Sequence, residues 1–226
     1  MIGIFLRDIQ FIENEESAQL NTESLCIKEM FLWELGKKFK TNDCEAIFFH
    51  CGRYSKIRLI SESYEDYDMF IPKKSYDVEI PFDTEVYFSL SIIDKKKMLT
   101  DCLQKGMIYL TELKKWDLDK INEAFRAMSK KEFIHTFKVW KPKLSPNRKL
   151  KAYPLLNIDL LDCTLGLVVE DRKGNIIARK HIVKTKPNIA EIDYFLEKLV
   201  WLSDKEVALF TRAHKTKYNS ILLEGN

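Results

Sequence analysis

The chain has 226 residues, of which 46% are hydrophobic and 31% charged, and its formal net charge is +3. That composition excludes a disordered chain, and the length is enough for one large core or two small ones. No stretch reaches the roughly 18 apolar residues that a membrane span needs, so a soluble, cytoplasmic protein is expected.

The opening "MIGIFLRDIQF" is an apolar run broken by Arg7 and Asp8, which reads as a strand and not as a leader. Asn21 or Thr22 as cap and Glu23 in the first turn predict a helix through "NTESLCIKEMFLWELGKKFK", stopped at Gly36. From residue 45 to about 92 the apolar period changes to two, in "EAIFFHC", "SKIRLIS", "DMFIP", "SYDVEIP" and "TEVYFSLSI". Those segments predict mostly antiparallel strands. Asp94 and Asp117 then open two helices joined through Trp116. The second half holds a strand at "FIHTFKVW", a basic connection, a strand at "YPLLNIDLL" and the hairpin "DCTLGLVVEDRKGNIIARKHIV". Asn188 caps a predicted helix over "NIAEIDYFLEKLVWL", while "KEVALFTRAH" fits either strand or helix. Strands followed by helices, twice over, predict an α+β fold with mostly antiparallel sheets and helices packed on one face. The expected division is an acidic half, residues 1–130, and a basic half, residues 131–226, as two small α+β domains or one continuous domain.

Charge separates along the chain. Residues 1–113 carry 14 Lys and Arg against 20 Asp and Glu, and residues 114–226 carry 23 against 14. An asymmetry of that size can steer partners. The cysteines, Cys26, Cys44, Cys51, Cys102 and Cys163, are odd in number and set in apolar segments, so reduced, buried thiols are expected. Of the cluster Cys44, His50 and Cys51, strand alternation leaves two groups on one face, too few to hold zinc. The scattered glycines form no phosphate loop, dinucleotide fingerprint or nucleophile elbow, and the histidines form no metal-binding pair at helical spacing. No cofactor and no metal are expected.

Three features bear on function. In the hairpin, an acid closes an apolar strand, Gly166 follows on the next, and Gly174 sits in the turn. This pattern resembles the first hairpin of ribonuclease H-like and actin-like folds. The resemblance covers fewer than 30 residues and implies a metal-binding carboxylate at Asp159 or Asp162, with Glu191, Asp193 and Glu197 as partners. Read by alternation alone, the same residues are a hairpin with Leu165, Leu167 and Val169 on one face and Val168 and Glu170 on the other.

The second feature is the basic stretch with Lys138, Trp140, Lys141, Lys143, Arg148, Lys149 and Lys151, followed by Tyr153. Cations interleaved with aromatics have the composition of a nucleic-acid contact. The third is the acidic, aromatic run Tyr64, Glu65, Asp66, Tyr67 and Asp68, in which tyrosines can anchor an interface while carboxylates steer a basic partner. Together these lead to the expectation of a non-enzymatic protein-binding module of the bacterial immunity or antitoxin type, contacting a toxic protein through Tyr64–Asp68. The alternative is a nucleic-acid-binding protein or metal-dependent nuclease acting through the basic half.

Overall fold

The computed structural model describes residues 4–13, 18–36, 39–41, 43–63, 74–212 and 218–223. The fold is α+β with mostly antiparallel sheets. Two compact units divide the chain, Met1–His135 and Thr136–Asn226.

The first unit contains β1 (Asp8–Ile12), α1 (Gln19–Glu23), α2 (Leu25–Leu35), β2 (Ala46–Gly52), β3 (Arg58–Ser63) and β4 (Ser75–Pro81). It continues with α3 (Thr84–Ser89), α4 (Ile92–Lys114) and α5 (Leu118–Lys130). Its sheet has the order β1-β2-β4-β3, with β1 and β4 parallel to β2 and β3 antiparallel to β4. Among the described residues these two are the parallel pairs, and the helical connection α1–α2 returns β2 alongside β1 in the same direction. Alternation sorts the side chains. Phe11, Ile47, Phe49, Cys51, Val78 and Ile80 are buried, while Phe48, His50, Asp77 and Glu79 are half-buried on the opposite face. There His50 Nε2 meets Asp77 Oδ1 at 2.7 Å, and Arg58 pairs with Glu79 at 2.8 Å.

The segment "TEVYFSLSI" forms α3 and the start of α4 instead of a strand. Two caps decide it: the Asp83 side chain accepts from the Val86 amide at 3.0 Å, and Ser91 accepts from that of Asp94 at 3.3 Å. Asp117 caps α5, as its position predicts. The first helix begins earlier than Asn21, at Gln19, and is broken at Ser24 before α2 starts. Gly36 ends α2 with φ +82°, a left-handed value that suits glycine.

Helix α4 comes close to β2 because Gly106 has no side chain. A Cβ there would lie 2.3 Å from Phe49 Cε1. Two residues along β2 and one turn back along α4, Cys51 and Cys102 are both buried, and the neighbouring Cys102 thiol together with burial pushes the Cys51 thiol up. Further along, Glu23 on α1 accepts from Lys95 Nζ (2.9 Å), the Tyr87 hydroxyl (2.8 Å) and Gln19 (2.7 Å), which ties α1, α3 and α4 together inside the unit. Burial pushes the Glu23 carboxyl up, but those three hydrogen bonds and the Lys95 charge outweigh it and leave the group below its ordinary value.

The second unit holds a sheet of β5 (His135–Lys138), β6 (Lys143–Leu144), β7 (Leu150–Ile158), β8 (Cys163–Asp171) and β9 (Ile176–Thr185). Its order is β5-β7-β8-β9, with β6 also pairing on β7. Next come α6 (Ile189–Asp193), β10 (Lys198–Trp201), β11 (Glu206–Phe210) and β12 (Tyr218–Leu222), the strands forming a separate antiparallel sheet. The helix expected from Asn188 is therefore short. Asn188 does cap it, accepting from Ala190 at 2.9 Å, but "KLVW" pairs with β11, Leu199 opposite Leu209. Residues rich in apolar and aromatic side chains are held better by a sheet partner than by a fourth helical turn. The segment that fitted either state is strand β11.

Candidate anion-binding surface

The basic stretch is brought together with residues far from it in sequence. Pairing of β7 with β8 sets Lys151 opposite Glu170, and Lys151 Nζ lies 2.9 Å from Glu170 Oε2. Lys138 reaches the other carboxylate oxygen at 3.5 Å, with its ammonium 3.9 Å from the centre of the Tyr153 ring. The Tyr153 hydroxyl donates to the same oxygen. Hydrogen bonds from Tyr153 and Lys151 hold the Glu170 carboxyl below its usual range, against its burial. Burial, reinforced by the carboxylate, pushes the Tyr153 phenol up.

At this end of the sheet two turns meet. Gly174 takes φ +91° in the β8–β9 turn, where Asp171 accepts from the Asn175 amide at 2.9 Å. The turn before β7 places Arg148 at φ +58°, and Arg172 Nε donates to the Arg148 carbonyl at 2.7 Å. Arg148 and Lys149 thus stand in one turn and Arg172 and Lys173 in the other, next along the sheet from Glu170, on which Lys138 and Lys151 meet.

Not every expected residue joins them. Lys143 Nζ donates to the Leu199 carbonyl (2.8 Å) and the Lys143 carbonyl accepts from Trp201 Nε1 (3.0 Å), so this lysine holds β6 to β10. Lys141 is exposed and Trp140 half-buried in the connection between β5 and β6. Tyr153, expected to interleave with the cations as a stacking surface, is only 3% exposed under Lys138, so no base can stack on it. The expected partner-binding residues Tyr64, Glu65, Asp66, Tyr67 and Asp68 lie outside the described residues.

The carboxylates implied by the hairpin resemblance have separate partners. Asp162 pairs with Lys184 at 2.9 Å, Asp193 with Arg212 at 2.6 Å, and Asp159 accepts from the Leu160 amide at 2.6 Å. Among the described residues no group of three or more His, Cys, Asp and Glu is arranged to hold a metal ion, and no helix is long and apolar enough to cross a membrane. After the hairpin, β10–β12 form their own sheet and do not extend the first.

A second surface belongs to the first unit. Val86, Ile92 and Ile93 follow one another across the α3–α4 junction, all exposed, Ile93 by 66%. Scanning the chain against protein-family models gave no match, and searches of the curated proteins and of the solved structures gave no significant similarity.

Proposed function

We propose that the protein is a non-enzymatic binding protein whose Thr136–Asn226 unit engages the phosphate backbone of a nucleic acid. The observation that carries this reading is the meeting of Lys138 and Lys151 on Glu170 beside the two joined turns that carry Arg148 and Arg172. Neutralising phosphates with such groups releases counterions, so affinity falls as salt rises. The test is duplex and single-stranded oligonucleotide binding over a range of salt, for wild type and for the combined Lys138→Glu, Arg148→Glu and Arg172→Glu variant. The variant is expected to bind at least about tenfold more weakly and with a shallower salt dependence. Equal binding by the two proteins defeats the reading.

The exposed apolar residues Val86, Ile92 and Ile93 favour a second reading, one-to-one binding of a protein partner in the manner of an immunity or antitoxin protein. A stoichiometric protein retained after nuclease treatment, and lost when Val86 and Ile93 are both changed to Asp, is its expected signature. Retention by that variant removes this patch from it.

A further inference from the structure

We infer that Lys138, Lys151 and Arg179 form a seat for a single phosphate group, with Glu170 as the positioning residue that holds the two lysines. The inference rests on the polyanion reading above and specifies one contact within it.

Register places the third cation. Tyr153 and Arg179 both pair with Val168, one from each side, so the three share a sheet face with Glu170, two residues further along β8. Gly166 lies on that face two residues the other way. A Cβ on Gly166 would stand 3.7 Å from Arg179 Nε, an ordinary contact distance, so the Arg179 side chain lies over β8. The Arg179 charge is felt at the Tyr153 phenol, where it opposes the effect of Glu170. Arg179 is exposed, and no carboxylate among the described residues pairs with it.

Lys138 and Lys151 flank one carboxylate and Arg179 shares its sheet face, which leaves two positive charges to be met by a ligand. Glu170 occupies one donor of each lysine, on opposite carboxylate oxygens. Each ammonium keeps two N–H groups and the guanidinium keeps its planar fork, a donor set that fits tetrahedral phosphate oxygens. Fixing two long, rotamer-rich side chains before a ligand arrives lowers the ordering cost of binding. The phosphate can come from a nucleic-acid backbone or from a small phosphate monoester, and the experiment separates these sources.

The full chain is titrated with inorganic phosphate, with a nucleoside monophosphate and with a short DNA duplex, using wild type, Arg179→Lys and Glu170→Gln. Arg179→Lys keeps the charge at an exposed position, so it folds and leaves a diffuse electrostatic field intact. A seat that uses the guanidinium fork is expected to lose about tenfold in duplex affinity. Glu170→Gln removes a negative charge, which by field alone tightens anion binding; a positioning role predicts weaker binding. Thermal melts verify the fold of Glu170→Gln, and Tyr153→Phe, which keeps the carboxylate and its two lysines, is expected to bind within a fewfold of wild type. Wild-type duplex affinity in Arg179→Lys, with equal or tighter binding in Glu170→Gln, overturns the seat and leaves the polyanion reading standing. Binding of the monophosphate without the duplex keeps the seat and overturns the nucleic-acid reading. If the wild type binds none of the three probes, both fail.

Discussion

Replacing Lys95 with Met is expected to destabilise the first unit by about 3–5 kcal/mol, the range for removing one partner of a buried ion pair. Glu23 is 4% exposed, and the variant leaves its carboxylate inside the unit with only the Tyr87 hydroxyl and Gln19 as donors. A charge in that position is costly to keep, so the carboxyl is expected to take up a proton and lose its depressed titration. The pH dependence gives a second reading of the same change. In the wild type the folded Glu23 titrates below its unfolded value of about 4.5, so its contribution is present above that pH and is lost as pH falls through the lower, folded value. In Lys95→Met this acid-labile part of the stability curve is expected to vanish. Denaturant unfolding of both proteins from pH 7 down to 3 measures both effects. The double variant Lys95→Met with Glu23→Leu is expected to recover most of the loss, since neither ion then remains buried. A loss below 1 kcal/mol in the single variant would show that the pair is solvated.

Gly106→Val is expected to cost about 3 kcal/mol and to lower the melting temperature by roughly 10 °C. Helix propensity points the other way, because valine is a better helix former than glycine by a few tenths of a kcal/mol. The steric effect wins. The new Cβ would stand 2.3 Å from Phe49 Cε1 and 2.7 Å from Cζ, and the Phe49 ring is fully buried with Phe11 5.7 Å away. With the ring buried inside the unit, α4 is expected to move off β2. Trimming the obstacle is expected to rescue the variant. Gly106→Val combined with Phe49→Leu should be more stable than Gly106→Val alone, and a differential scanning calorimeter reads the difference. If the double variant is the less stable of the two, contact with Phe49 is not the source of the loss.

Helices marked by their own ends were readable from the sequence. Asp117 announces α5 through its cap, and the long α4 follows from its apolar spacing. The hairpin of β8 and β9 is legible through Gly174 and its polar turn. Misreading came where a short-range pattern continued past a change of structure. The period-two alternation of β4 carries on through Val86, Phe88 and Leu90, although Asp83 and Ser91 already supply two helix caps eight residues apart. Asn188 gives a true helix start, but nothing local announces that Leu199 will find Leu209. The parallel pairing of β1, β2 and β4 depends on how strands are connected in space, which composition does not encode.

The candidate surface was half legible for the same reason. Its basic stretch stands out as letters, and two of its members, Lys138 and Lys151, do meet on one carboxylate, with Arg148 and Lys149 in the turn before β7. Glu170, Arg172 and Arg179 were missed, because they join through register. One signal was available: a tight turn centred on Leu160 and Leu161 sets Lys151 opposite Glu170. Tyr153 was read as a stacking platform because sequence alone cannot show that Lys138 lies over its ring.

The five cysteines carry a practical consequence. All are free and buried, and burial pushes the thiols of Cys44 and Cys163 up to about 12 and about 11. Thiolates, which do the reacting with maleimides, are therefore scarce in the native protein. A cysteine introduced at an exposed position such as Lys149 would be the first to take a dye, without any need to strip the native ones from the core. The chain is in that sense already prepared for fluorescence: a single reporter can be placed beside the candidate surface while the packing around Cys51 and Cys102 stays as it is.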